Sequence, residues 1–143
     1  MHLLYCQPQT VYKKGTIEID YFEKFSCLQL SWSGPVSQET YYAVLEVLLN
    51  LTHRFQAQFW IFDAREEDYF KLYDPEWATR FYTQLVPDSC IKKIARLASG
   101  NSKNEIKLSN FITKILEDNA LTIKFKYMPD TNHALEWFLE ADN

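Results

Sequence analysis

A chain of 143 residues with 47% hydrophobic and 16% aromatic residues has the material for one packed domain, expected over residues 1–143, and is not a disordered chain. Its net charge of −4 argues against nucleic acid or an anionic membrane surface as the main partner, since both select concentrated basic surface. No apolar run approaches the roughly 18 residues of a bilayer span, so no membrane insertion is expected.

Two further features bear on the compartment. The opening residues Met1-His2-Leu3-Leu4-Tyr5-Cys6-Gln7-Pro8 lack the basic region and long apolar stretch of a signal peptide. Cys6, Cys27 and Cys90 are odd in number and far apart, with no C-x-x-C pair. Both point to a reducing cytoplasm, without a disulfide framework or a zinc site.

Taken in order, the segment to Gly15 is ambiguous, although Thr10-Val11-Tyr12 could add a short edge strand. Thr16–Phe22 alternates with Ile17, Ile19 and Tyr21 on one face, and Leu28–Trp32 alternates again after the polar Glu23-Lys24. Two such runs this close predict an antiparallel hairpin with one buried face. Ser33-Gly34-Pro35-Val36 breaks the strand, and Ser37 is a good N-cap for a helix from Gln38 to Phe55. Tyr41, Val44, Leu45, Leu48 and Phe55 keep helical spacing there, but Tyr42, Val47, Leu49 and Leu51 widen the stripe. Either the helix is wedged between neighbours in a crowded layer, or it carries a second apolar face for self-association.

The unbroken run Phe59-Trp60-Ile61-Phe62, bounded by Gln58 and Asp63, predicts a strand buried on both faces. Asp74-Pro75 starts a helix that carries Trp77, Ala78, Phe81 and Leu85 and ends near Pro87. Ile91–Ala98 reads as a strand, and Leu108, Phe111, Ile112, Ile115 and Leu116 as a helix. Leu121–Tyr127 alternates with Lys124 and Lys126 facing out, which suits a sheet edge. Met128-Pro129-Asp130-Thr131 turns into a last helix with Ala134, Leu135 and Phe138. The order β-β-α-β-α-β-α-β-α predicts a single α/β domain. Its mixed sheet combines an antiparallel hairpin with otherwise parallel strands joined by right-handed crossovers.

That order and several short motifs resemble the STAS superfamily with its SpoIIAA-like fold, and within it the stand-alone bacterial STAS/SEC14-like proteins of unassigned function. The motifs are Trp32-Ser33-Gly34-Pro35-Val36, Asp63-Ala64-Arg65, Trp77, Lys93-Ile94-Ala95 and Ala134-Leu135-Glu136-Trp137. The resemblance spans most of Thr16–Leu139. It implies a sheet with helices mainly on one face, whereas the Phe59–Phe62 run asks for an apolar cover on the second face as well. The N-terminal segment or a partner subunit could supply that cover. The family's sigma-factor regulators carry a phosphorylated serine after the acid that ends the central strand. Ala64 stands there in this chain, so the resemblance implies a module without that switch.

Ligands of parallel α/β sheets gather at the carboxyl ends of the strands, which here hold Ser33, Gly34, Asp63, Arg65, Ser99, Gly100 and the Asp130–His133 turn. Asp63 can accept hydrogen bonds and Arg65 can clamp an anion, or the two simply pair with each other. The aromatic loop Tyr69-Phe70-Lys71-Leu72-Tyr73 needs a cover: the neighbouring helix with Trp77, a dimer interface, or an apolar pocket beneath it. Metal spacing and glycine-rich phosphate loops are absent, so neither metal nor cofactor is expected. Cys90 with His53 or His133 is the one nucleophile–base combination, and Cys90 reads better as a core or boundary residue. A neutral ring is expected for His133 in a helix's first turn.

The reading that follows is a cytoplasmic, non-enzymatic interaction module that binds a protein partner or itself, with Asp63, Arg65, Tyr69, Phe70, Tyr73 and Trp77 as candidate contact residues. The alternative is a small-molecule or lipid-binding domain, which the SEC14-like side of the resemblance implies, and an enzyme ranks third.

Overall fold

In the computed structural model, which describes residues 7–33, 36–63, 74–97 and 103–141, every strand pairs with its neighbour in sequence. The strands are β1 (Gln9–Lys14), β2 (Ile17–Phe22), β3 (Cys27–Trp32), β4 (Phe59–Asp63), β5 (Lys93–Leu97) and β6 (Lys124–Tyr127), in that spatial order. The helices are α1 (Gln38–Phe55), α2 (Pro75–Arg80), α3 (Lys103–Asp118) and α4 (Thr131–Phe138). β1, β2 and β3 form an antiparallel meander, and β3 to β6 run parallel. The N-terminal edge strand is therefore real, and it leads into β2 by a turn at Gly15 whose φ of 60° favours glycine. Its register slips between Thr10 and Tyr12, a bulge of the kind that keeps sheet edges from pairing further.

Local chemistry sets the helix starts where the sequence puts them. Ser37 Oγ accepts the Thr40 amide at 3.1 Å, and Asp74 Oδ1 accepts those of Glu76 and Trp77 with Pro75 in the first turn. The helix expected to reach Pro87 changes winding: after Arg80 it widens into a π-helical turn, Phe81–Leu85. That turn places both Phe81 and Tyr82 in the core, with Val86 behind them.

The topology dictates which face each helix covers. When successive parallel strands are added in one direction with crossovers of one hand, every crossover helix falls on the same face. α1, the α2–π segment and α3 do so: Val44, Leu48, Phe81 and Ile115 share a core with Leu30 and Trp60 of the sheet. Among the described residues no strand follows α4, and this helix takes the other face. It packs Ala134, Leu135, Trp137 and Phe138 against Cys27 and Ile61.

β4 is thus buried from both sides, as its unbroken apolar run requires: Trp60 and Phe62 face the three-helix layer, and Ile61 faces α4. This corrects the expectation that the N-terminal segment or a second subunit covers the second face, because the last helix supplies the cover. α1's wide stripe is likewise taken up within the chain. Tyr42 stacks on Trp77 at 4.2 Å and Phe55 on Tyr21 at 4.4 Å. Val47 and Leu51 pack against the same core, and Leu49 is buried.

Candidate functional site

β2 and β3 each turn apolar residues toward the three-helix layer, so their alternate residues lie on the second face. Across the carboxyl end of β3 and β4 this sets Glu18, Ser31 and Asp63 in one row, because Glu18 pairs with Ser31 and Ser31 with Asp63. All three are half-exposed. One step down the strands, Asp20 pairs with Gln29. α4 begins beside this patch and runs away from it, so the second face is apolar under the helix and polar beyond its start.

The junction is held by hydrogen bonds. Thr131 Oγ1 in the first turn of α4 donates to Gln29 Oε1 at 2.9 Å. Gln29 Nε2 donates to Ser31 Oγ at 3.3 Å, so the buried amide of Gln29 uses both of its ends. On the β1 side, Thr10 Oγ1 donates to Asp20 Oδ1 at 2.8 Å. Partial burial pushes the Asp20 pKa above the usual carboxylate value; Glu18 adds to the shift and the Thr10 hydrogen bond opposes it. The fold holds this carboxylate where its charge is disfavoured.

The amino end of α4 carries its own pair. Asp130 Oδ1 accepts the His133 amide at 2.9 Å and lies 2.8 Å from His133 Nδ1. The hydrogen bond and charge of Asp130 raise the His133 pKa. The dipole that favours a neutral ring is thus opposed by the capping carboxylate, which favours the protonated one.

Of the six candidate contact residues, the structure places two. Asp63 ends β4 within the polar row. Trp77 is a packing residue, stacked between Tyr42 and Phe81, the latter at 5.0 Å. Arg65, Tyr69, Phe70 and Tyr73 lie outside the described residues, as do Gly34, Ser99 and Gly100, so the Asp63–Arg65 pairing and the aromatic loop's cover lie outside them too. Gln29, Ser31 and Thr131 were missed by sequence reasoning. The first two sit at the polar positions of an alternating strand, and only a contact across 102 residues reveals their role.

Of the two candidate bases for Cys90, His53 lies at the same end of the sheet, in the last turn of α1, where Gln56 accepts from the Cys90 thiol and donates to His53 O at 2.7 Å, whereas His133 is not brought near it. Cys90 precedes β5 and His133 follows β6; since these strands are parallel, the two residues lie at opposite ends of the sheet. Cys90 is an exposed boundary residue rather than a core one, and its thiol donates to Gln56 Oε1 at 3.3 Å. Among the described residues no group of three acidic, histidine or cysteine side chains could hold a metal, and no helix is long and apolar enough to cross a membrane. Comparison with protein-family models, with curated proteins and with solved structures finds no match to this chain.

Proposed function

We propose that this chain is a cytoplasmic, non-catalytic, STAS-like interaction module that docks a protein partner across the open part of its second sheet face. The observation that carries the reading is the half-exposed row Glu18, Ser31 and Asp63, set at the strand ends where α4 stops covering the sheet. Another protein's surface can lie across an open sheet face of this kind. The acids Glu18, Asp20 and Asp63 select a basic partner and disfavour a second copy presenting the same face. Sequential βα order and an acid at the end of β4 support the family resemblance. With Ala64 after that acid, docking is not gated by a phosphate at that position.

The test is site-specific photo-cross-linking in cells, with the reactive residue at position 31 or at position 92, where Lys92 is exposed at the other end of the sheet. A discrete protein adduct is expected from position 31 and not from position 92, and it should vanish when Glu18→Lys and Asp63→Lys are added. No adduct from position 31, or equal adducts from both positions, would overturn the reading.

A further inference from the structure

β6 is the outer strand of the sheet and pairs, among the described residues, with β5 alone. A cavity of about 440 Å³ runs along it. Leu116 and Glu117 of α3 with Leu121 wall one side, Trp137 and Glu140 the other, and Lys124, Phe125 and Lys126 form the floor. The cavity therefore straddles the strand's edge instead of entering the core.

The direction of the floor's backbone follows from the ladder. The Lys124 amide donates to Lys92 O at 3.0 Å and the Met128 amide to Arg96 O at 3.1 Å. Even-numbered residues of β6 thus bond inward to β5, and the peptide groups of Phe125 point out into the groove. A floor of backbone N–H and C=O groups matches an extended peptide backbone, which repeats the same groups at the same spacing. It is poorly matched by a compact apolar ligand, which would leave those groups unsatisfied.

The two walls differ in chemistry. Phe125 packs toward the three-helix core together with Leu121. On the opposite face Lys124 and Lys126 are exposed and outnumber the one acid of that wall, Glu140, with Lys126 Nζ 5.7 Å from the Trp137 ring. An incoming strand alternates its side chains between these walls. We propose that the outer edge of β6 takes up an extended segment of a partner protein as an added strand, with carboxylate side chains toward Lys124 and Lys126 and aliphatic ones toward Leu121 and Phe125. A second copy of this chain does not fit, since pairing two β6 edges brings four lysines onto one face. The surface lies three strands away from Ser31 and does not rest on the docking reading given for that face.

The experiment uses short end-capped peptides: one alternates glutamate and valine, a second lysine and valine, and a third is the first N-methylated on alternate residues. The glutamate peptide is expected to bind, to slow hydrogen exchange at the Phe125 amide, and to weaken as salt rises. The lysine peptide should bind at least about tenfold more weakly. Lys124→Glu with Lys126→Glu should reverse that order, a result that also shows the variant to be folded. Absence of binding, equal binding of both charges, or full binding of the N-methylated peptide would overturn the proposal. So would protection of the Phe125 amide that rises with protein concentration alone, since a second copy would then hold the edge.

Discussion

The two faces of this sheet are made by the same strands and do different work. The face under α1, the π-turn and α3 is apolar from β2 to β6 apart from Arg96, which lies in register with Phe62 and Tyr127 and is buried, and the buried Trp60 indole is paired within the chain. Trp60 Nε1 donates to Thr52 Oγ1 at 2.8 Å, and Thr52 donates on to Leu48 O at 2.6 Å. The second face is apolar only under α4, and its remainder is polar and open. A face covered by three helices is committed to stability, whereas one covered by a single short helix has surface left for other uses. The fold rests mainly on the first face, and the proposed docking on the second.

The strongest attack on that division is at Trp60, fully buried in the first face. Trp60→Ala should cost about 3–5 kcal/mol, the usual range for emptying a core aromatic site. Thr52→Val, which strands the indole N–H, should cost about 1–3 kcal/mol. Chemical denaturation would check both, and a loss below about 1 kcal/mol for Trp60→Ala would mean that this face is not the foundation.

The second face has its own anchor in Lys93, a lysine only 3% exposed. Its Nζ donates to Trp137 O at 2.9 Å and Glu140 O at 3.0 Å, at the negative end of α4, and lies 5.3 Å from the Trp137 ring. Lys93→Met keeps the length of the side chain and removes the charge and donors. It should cost about 2–3 kcal/mol, and hydrogen exchange should show the loss concentrated in α4. Equal loosening of α1 would show that the two faces are one cooperative unit, not separable layers.

How far the sequence revealed this division can be seen from individual residues. Periodicity placed α1 and its Ser37 cap, because a long amphipathic helix repeats its signal many times. It also showed β4 to be doubly buried. It did not reveal that α4 covers the second face, since nothing local in Ala134–Phe138 says which side a terminal helix takes. Lys93 read as one residue of a family-like motif, because its use depends on carbonyls more than forty positions away. The candidate site was legible only at Asp63. Ser31 and Glu18 looked like the ordinary wet side of alternating strands, and the row they form exists only once the register is set.

A smaller effect, with the opposite sign, tests whether the open part of the second face is kept for something other than stability. Asp20 is held with its pKa raised by burial, so folding favours its protonated form. Its unfavourable contribution appears as pH rises from the unfolded value of 3.8 through the folded one. Asp20→Asn retains an acceptor for Thr10 and removes the charge. After allowance for solvent screening it should stabilise the protein by a few tenths of a kcal/mol at neutral pH, with the advantage disappearing below pH 3.8. Destabilisation at neutral pH would mean that this carboxylate serves the fold.

The smallest effect lies where the two faces meet, at the start of α4. His133 has its pKa raised above 6.5 by Asp130, so folding favours protonation of the ring relative to the unfolded chain. A raised folded pKa gives a contribution that is complete below the unfolded value and is lost as pH rises through the folded one. Wild type should therefore exceed His133→Gln in melting temperature by most below pH 6.5, and the gap should close on the alkaline side of that value. The pair is exposed, so the gap should also shrink with added salt. If the first face carries the fold, this titration should leave α1 unaffected, and NMR shifts that follow His133 should stay within α4 and the end of β6. Shifts reaching Trp60 would join the two faces that the comparison sets apart.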